Sequence, residues 1–270
     1  MPGMHFKKGT FLFLSIFWCF LANAQKAEDL IDVSIISEVE KISPGEKASL
    51  LIRVELKSEW HVYWKTAGES GYPTTIEWDK ITGVELEDLR FPDPVLFEFQ
   101  ELVSYVHKDI FYLLCGIQLQ SDFNSDKKKI SVKGQFSTLV CSEENCIPYK
   151  QNLMLDIPLS EQTILKEDTQ KIFQQARFQL SKKAPIEAKV SARIKGDSVG
   201  LQFEHPSLKE LDVNKFIFFP HGDFFKHGQN QNFTKTNDGK VSLSLSIDSL
   251  SEKILMKING VLTHPQLDRG

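Results

Sequence analysis

The chain has 270 residues, among them 32 basic and 36 acidic residues, and a formal net charge of −4. Its basic residues do not cluster beyond the lysines at 127–129, so the composition gives no support for a nucleic-acid partner. After the first 24 residues no apolar run approaches the ~20 residues of a membrane-spanning helix, and roughly 245 residues are enough for two domains.

Residues 1–24 are typical of a secretory signal peptide. Lys7 and Lys8 supply its positive start, residues 11–21 its apolar core, and the small residues at 22–24 its cleavage site. The mature chain would then begin at Gln25 and work outside the cytoplasm, where disulfides persist. Cys19 lies inside this segment without the small residues that precede a lipoprotein cysteine, so no lipid anchor is expected.

Between residues 27 and 159 short apolar runs alternate with turn signals, a pattern typical of an immunoglobulin-like β-sandwich. One stretch does not follow it. Residues 95–104 come after Pro92 and Pro94 and have no clean period, although they contain Phe97, Phe99 and Leu102. The runs predicted as strands are 33–35, 48–56, 60–64, 74–78, 105–119, 130–136 and 152–159.

The second half of the chain predicts a helix followed by a second β domain. In the connecting segment 160–185, apolar residues recur near helical spacing from Leu165 to Leu180, and Pro185 ends a helix of roughly 20 residues. Strand patterns then resume over 186–263, with 216–220 as the expected central strand and 254–262 as the last strand. The predicted fold class is therefore all-β, with two immunoglobulin-like sandwich domains joined by a helix.

The mature chain would keep three cysteines, which are Cys115, Cys141 and Cys146. The odd count pairs Cys141 with Cys146 on a hairpin-like turn and leaves Cys115 as a buried, inert thiol in an apolar strand. Closing so short a loop constrains the unfolded chain by only about 2 kcal/mol. The spacing alone therefore leaves two interpretations open, a structural staple and a redox pair. Glu143 and Glu144 between the cysteines are expected to raise their thiol pKa values.

Other catalytic chemistry finds little support in the sequence. No two histidines have a metal-binding spacing, and phosphate-loop, dinucleotide and serine-hydrolase motifs are absent from the sequence. A cysteine–histidine pair would need the fold to bring a histidine to the thiols, with His61 and His107 the candidates from the same domain. The aromatic residues of the first domain are expected in its core: Trp60, Tyr63, Trp64, Tyr72 and Trp78.

Three motifs and the cysteine turn together resemble one known family. They are SEWHVYWK at 58–65, GESGYPT at 68–74, IEW at 76–78, and the cysteine pair followed by Ile147 and Pro148. The pattern resembles the amino-terminal periplasmic domain of the DsbD/ScsB thiol:disulfide interchange proteins, over roughly 32–159 and more weakly through the second β domain. The resemblance implies a periplasmic domain whose Cys141 and Cys146 alternate between dithiol and disulfide, with no cofactor beyond these catalytic cysteines.

The same resemblance implies partners and supporting residues. Thioredoxin-like periplasmic proteins would exchange disulfides with the pair, and Cys146 would form the mixed disulfide. Phe97 or Phe99 would belong to a cap over the cysteines, with Tyr63 as a supporting residue. The run of Phe97, Phe99 and Leu102 is therefore interpreted as a mobile cap over the pair. Full family members continue into a membrane domain and a thioredoxin-like domain, which this sequence lacks. Either a membrane electron-transfer protein is encoded separately, or the chain is a shortened relative that no longer relays electrons. The alternative is a non-catalytic binding or chaperone module with a structural disulfide.

Overall fold

The computed structural model describes residues 26–123, 128–222, 224–248 and 258–267. The predicted signal peptide with Cys19, and Lys127 of the basic run, lie outside the described residues. The strands, in chain order, are β1 (Ile31–Ser37), β2 (Val39–Lys41), β3 (Lys47–Leu56), β4 (His61–Gly68), β5 (Thr75–Trp78), β6 (Val84–Leu86), β7 (Val95–Phe99), β8 (Leu102–Lys108), β9 (Ile110–Leu119), β10 (Lys129–Cys141), β11 (Cys146–Pro158), β12 (Ile164–Leu165), β13 (Lys189–Lys195), β14 (Ser198–Glu204), β15 (Ile217–Pro220), β16 (Phe233–Lys235), β17 (Val241–Ser246) and β18 (Gly260–Thr263); the α-helix α1 is Gln170–Gln179.

The first half of the chain is a sandwich of two antiparallel sheets. One has the strand order β1-β3-β9-β6, and the other has the order β11-β10-β4-β8-β7 with β5 paired to β10. The inward residues alternate along each strand, as Val62 and Trp64 do on β4, and they meet Ile52 and Leu113 of the facing sheet in one buried core. This arrangement confirms the predicted immunoglobulin-like β fold.

Residues 105–119, predicted as a single strand, form two strands in different sheets. Asp109 separates β8 from β9 with a φ of 57°, a left-handed conformation that aspartate adopts more readily than most residues. Its carbonyl accepts a hydrogen bond from the Leu56 backbone N–H at 2.9 Å, which fixes the corner. The prediction was wrong because the apolar pattern continues through this corner and gives no sign of it.

The stretch without a clean period, 95–104, is the edge hairpin of β7 and β8. Gln100 and Glu101 form its two-residue turn, both with positive φ (48° and 68°), which matches the turn geometry that two-residue hairpin loops require. Strand β7 is exposed over most of its length. Because neither face of the strand is buried, its sequence does not alternate between apolar and polar residues.

Helix α1 packs against the outer face of the four-stranded sheet. Phe173, Ala176 and Leu180 are buried there against Leu51 and Leu114. The helix has ten residues rather than roughly 20, because the residues before it take other structures. β12 pairs with β2, and residues 167–169 form a short 3-10 turn.

The second half contains the four-stranded sheet β13-β14-β17-β16 and the pair β15-β18. The expected central strand at 216–220 is observed as β15, which pairs with β18 alone among the described strands, so its central position stays a prediction. Phe218 packs into the second core, whereas Phe219 packs into the first. This segment is apolar on both faces because it lies between two cores. Most of the expected last strand, 254–262, lies outside the described residues, and the boundaries at 159 and 185 stay predictions.

Candidate functional site

Cys141 ends β10 and Cys146 begins β11, directly opposite each other in the antiparallel register. They form a disulfide with an S–S distance of 2.01 Å and a Cα–Cα distance of 4.1 Å. The turn between them is closed by its own hydrogen bonds, from Ser142 N to the Asn145 carbonyl at 2.8 Å and from Glu144 N to Ser142 Oγ at 3.2 Å. The two thirteen-residue strands and this turn therefore place the cysteines opposite each other by hydrogen bonds as well as by the disulfide.

The two cysteine residues differ in their exposure to solvent. Cys141 is 1 % exposed, whereas Cys146 is exposed, as are the nearby residues Glu143 and Glu144. Exchange requires a thiolate to reach one sulfur while the other leaves. Of the two cysteines, Cys146 is the exposed residue and therefore the candidate for attack by a partner thiol.

The buried sulfur lies on the outer face of the six-stranded sheet. A row of directly opposed residues crosses four strands, from Lys108 through His61 and Cys141 to Cys146. Such residues share one face of a sheet, and their neighbour Val62 points into the core on the other face. On the outer face Cys141 packs in a small cluster with Tyr63, Ala67 and Val106.

Tyr63 connects the buried sulfur to the loop at 68–74. Its hydroxyl donates a hydrogen bond to Cys141 Sγ at 3.4 Å, and burial raises the pKa of this hydroxyl while a hydrogen bond with Ser70 opposes the shift. Gly71, with a φ of +89°, lies so close to the ring that a Cβ there would stand 2.1 Å from it. Thr74 Oγ1 also donates to the Tyr63 carbonyl at 2.6 Å. The Tyr63 ring and backbone are thus both held by this loop.

His61 lies beside the buried cysteine in register, but its ring contacts other aromatic rings. Its centroid is 4.3 Å from that of Phe97 and 5.5 Å from that of Tyr63. Burial, and secondarily the charge of Lys108, lower the His61 pKa to about 4, so the imidazole is neutral near pH 7. His107 lies on the core face, stacked between Phe91 and Phe111, where burial lowers its pKa to about 3. The fold brings only His61 to the cysteine row.

The residues expected to form a cap separate into two groups. Phe97 is partly buried against the Tyr63 and Cys141 cluster, with the Lys108 ammonium 5.0 Å from its ring centre. Phe99 (37 % exposed) and Leu102 (46 % exposed) lie at the open end of the hairpin.

The expected aromatic core is only partly observed. Trp60, Tyr63 and Trp64 are buried, and Trp78 is half-buried. Tyr72 is 72 % exposed, because Pro73 and the glycines around it carry the loop along the surface.

Cys115 is free and buried on β9, as predicted. Its thiol donates to the Glu87 carbonyl at 3.2 Å, and burial raises its pKa to about 12, so it stays protonated. Within the described ranges no cluster of three metal-binding side chains occurs, and none of the helices is long and apolar enough to cross a membrane.

Sequence reasoning missed the contacts of Ser70 and Gly71. Both residues stand in the GESGYPT motif, but the ring on which this motif packs is visible only in the fold.

Residues 28–158 match the family model described as thiol:disulfide interchange protein DsbD, N-terminal. The crystal structure of the N-terminal periplasmic domain of ScsB from Proteus mirabilis superposes with a TM-score of 0.65 at 15 % identity, covering 89 % of this chain and 91 % of that one. The match to the reduced DsbD n-terminal domain from Neisseria meningitidis covers 53 % of this chain and 94 % of that one, at 10 % identity and a TM-score of 0.31. No curated protein matches the sequence. The segment 28–158 therefore belongs to the family of DsbD amino-terminal domains, which the motifs and the cysteine turn predicted.

Proposed function

We propose that Cys141 and Cys146 are a redox-active pair that exchanges disulfides with thioredoxin-like proteins outside the cytoplasm. The observation that carries the proposal is the asymmetry of the bond: Cys146 is exposed, and Cys141 is buried with the Tyr63 hydroxyl 3.4 Å from its sulfur. A bond that served only to staple the hairpin would need neither feature.

In the reducing direction, a thiolate of the partner attacks Cys146 Sγ and the bond to Cys141 breaks. Cys141 leaves as a thiolate, which takes up a proton, and Cys146 is held in a mixed disulfide. The second thiol of the partner then attacks the partner sulfur of that bond and releases Cys146. Two electrons and two protons pass from the dithiol of the partner to this pair, and the reverse steps oxidise the pair.

The buried surroundings of Cys141 make Tyr63 important in this step. A thiolate that forms in an apolar cluster is costly unless a donor satisfies it. The Tyr63 hydroxyl supplies that donor, and Phe97 covers the same side of the site so that water and small thiols do not reach Cys141.

Location and electron supply complete the proposal. The apparent signal peptide and the periplasmic ScsB relative support a periplasmic location. The family resemblance supports a membrane electron-transfer protein as the source of electrons.

The test combines a redox titration with trapping. In a dithiothreitol titration, an exchanging bond should have a potential above about −300 mV and a structural bond a lower one. Cys141→Ala should leave an exposed Cys146 that traps mixed disulfides with thioredoxin, whereas Cys146→Ala should trap few, since Cys141 is buried. Equal trapping by both variants would contradict the assigned roles. A low potential together with no trapping would favour a non-catalytic module with a structural disulfide.

A further inference from the structure

We infer that a segment of the second half of the chain positions the redox site by bracing the loop that lies on Tyr63. The bracing segment is residues 221–222 and 224–228, and the braced loop is residues 68–74. The inference rests on the proposed function and assigns the bracing segment a role in positioning residues of the same site.

Four contacts join the bracing segment to β4, to β8 and to the braced loop. His227 Nδ1 lies 3.1 Å from the Tyr105 hydroxyl, and the His221 ring lies 5.2 Å from that of Trp64. Gly222 N donates to Thr66 Oγ1 at 2.9 Å. The fourth contact is at Gly228, where an added Cβ would stand 2.0 Å from a Glu69 carboxylate oxygen.

Glu69 is the residue through which this contact reaches the active site. Its carboxylate accepts a hydrogen bond from Val103 N at 2.9 Å, and its own backbone N–H donates to the Val103 carbonyl at 2.8 Å. Glu69 is therefore held between β8 on one side and the bare Cα of Gly228 on the other. A side chain at position 228 would displace the carboxylate from this place.

The next residues of the loop continue the contacts to the sulfur. Ser70 Oγ lies 2.8 Å from Ser104 Oγ, which joins the loop to β8. Gly71 packs on the Tyr63 ring, and the Tyr63 hydroxyl donates to Cys141 Sγ. A series of contacts thus runs from Gly228 to Glu69, along the loop to Gly71, and from Gly71 through Tyr63 to the buried cysteine.

The braced loop needs external support because its backbone is intrinsically free. Gly68 and Gly71 both have positive φ, +93° and +89°, and glycine loses more conformational freedom on ordering than other residues. Without the bracing segment the loop would sample positions in which the Tyr63 hydroxyl is not directed at Cys141. The residues of the bracing segment touch neither sulfur, so they are positioning residues.

Gly228→Ala tests the inference, and Gly200→Ala is its matched control. Gly200 is on β14 of the same half of the chain, and a Cβ there meets only the Arg193 carbonyl at 3.7 Å. The rate at which reduced thioredoxin, or dithiothreitol, reduces the oxidised full chain should fall roughly fivefold in Gly228→Ala, as when the Tyr63 donor itself is lost. It should not change in Gly200→Ala. Glu69→Ala, which cannot introduce a clash, should slow the reaction similarly.

A double-variant cycle separates positioning from general damage to the fold. If the segment acts through Tyr63, Gly228→Ala should cause no further slowing in a Tyr63→Phe background. Equal rates for Gly228→Ala and Gly200→Ala, or slowing that multiplies with that of Tyr63→Phe, would overturn the inference. If wild-type protein is not reduced by thioredoxin, the proposed function fails instead, and the dithiothreitol rates still decide the role of the brace.

Discussion

The hydroxyl of Tyr63 allows the sharpest test of the chemistry at the cysteine pair. Tyr63→Phe removes one oxygen and leaves the ring in its place beneath Gly71. Cys141 is 1 % exposed, so water cannot easily replace the lost donor. We expect the oxidised variant to be reduced more slowly, because Cys141 must leave as a thiolate without a hydrogen bond.

The size of the effect follows from the charge that develops on Cys141 Sγ. A hydrogen bond to a charged group contributes about 1.5–3 kcal/mol, and the bond to the uncharged disulfide sulfur is weaker. Exchange rates follow thiol pKa values with a slope of about one half, so about half of the charge is present in the transition state. The transition state therefore loses about 1 kcal/mol, which corresponds to roughly fivefold slower reduction.

The assay follows reduction of the full chain by dithiothreitol near pH 7, with Tyr149→Phe as the matched control. The Tyr149 hydroxyl donates to the Gln151 side chain, so its loss makes the same chemical change away from the sulfurs. Wild type and Tyr149→Phe should react at the same rate. A Tyr63→Phe variant that reacts as fast as wild type would refute the role of the hydroxyl, and a faster one would show that Tyr63 acts as a cover.

Three further predictions concern the cap, the disulfide and the buried histidines. Phe97→Ala should speed reduction by dithiothreitol several-fold, since loss of a half-buried ring destabilises the closed site by about 1 kcal/mol. Phe99 is exposed, so Phe99→Ala should leave the rate unchanged. Equal reduction rates for the two variants would contradict the role of Phe97 as a cap. Reducing the Cys141–Cys146 bond should lower the free energy of unfolding in urea by only about 2 kcal/mol, because the loop is short; a loss of cooperativity would contradict the preformed hairpin. His61 and His107 have folded pKa values of about 4 and 3, below the usual histidine value, so the unfolded chain binds more protons and stability should fall as pH drops from about 6.5 towards 4. His107→Leu should lessen the difference between urea unfolding energies at about pH 7 and about pH 4.5; an undiminished difference would assign it to other groups.

Features that depend on local residue patterns could be predicted from the sequence. The sandwich strands follow from alternating apolar residues, and the pairing of Cys141 with Cys146 follows from their spacing and the odd cysteine count. Burial of Cys115 likewise follows from its apolar strand.

Features decided by tertiary contacts were not predictable. The corner at Asp109 interrupts a continuous apolar run, and Phe218 and Phe219 belong to different cores although they are adjacent. At the site, Gly71 is visible as a glycine in a loop, but nothing local shows that its bare Cα leaves room for the Tyr63 ring. Such contacts join different segments of the chain, and the residue pattern within one segment does not predict which other segment it contacts.

The burial of Cys115 also bears on how the newly exported chain would oxidise. In a mature chain that begins at Gln25, three thiols would allow three pairings, and the two that involve Cys115 would crosslink β9 to a strand of the opposite sheet. Cys141 and Cys146 are five residues apart, whereas Cys115 and Cys141 are 26 apart. Chain closure then favours the native pair by about 1.5 kcal/mol, or roughly tenfold. The cysteines of the local hairpin are therefore expected to pair with each other more readily than with Cys115, which is then left as the buried free thiol.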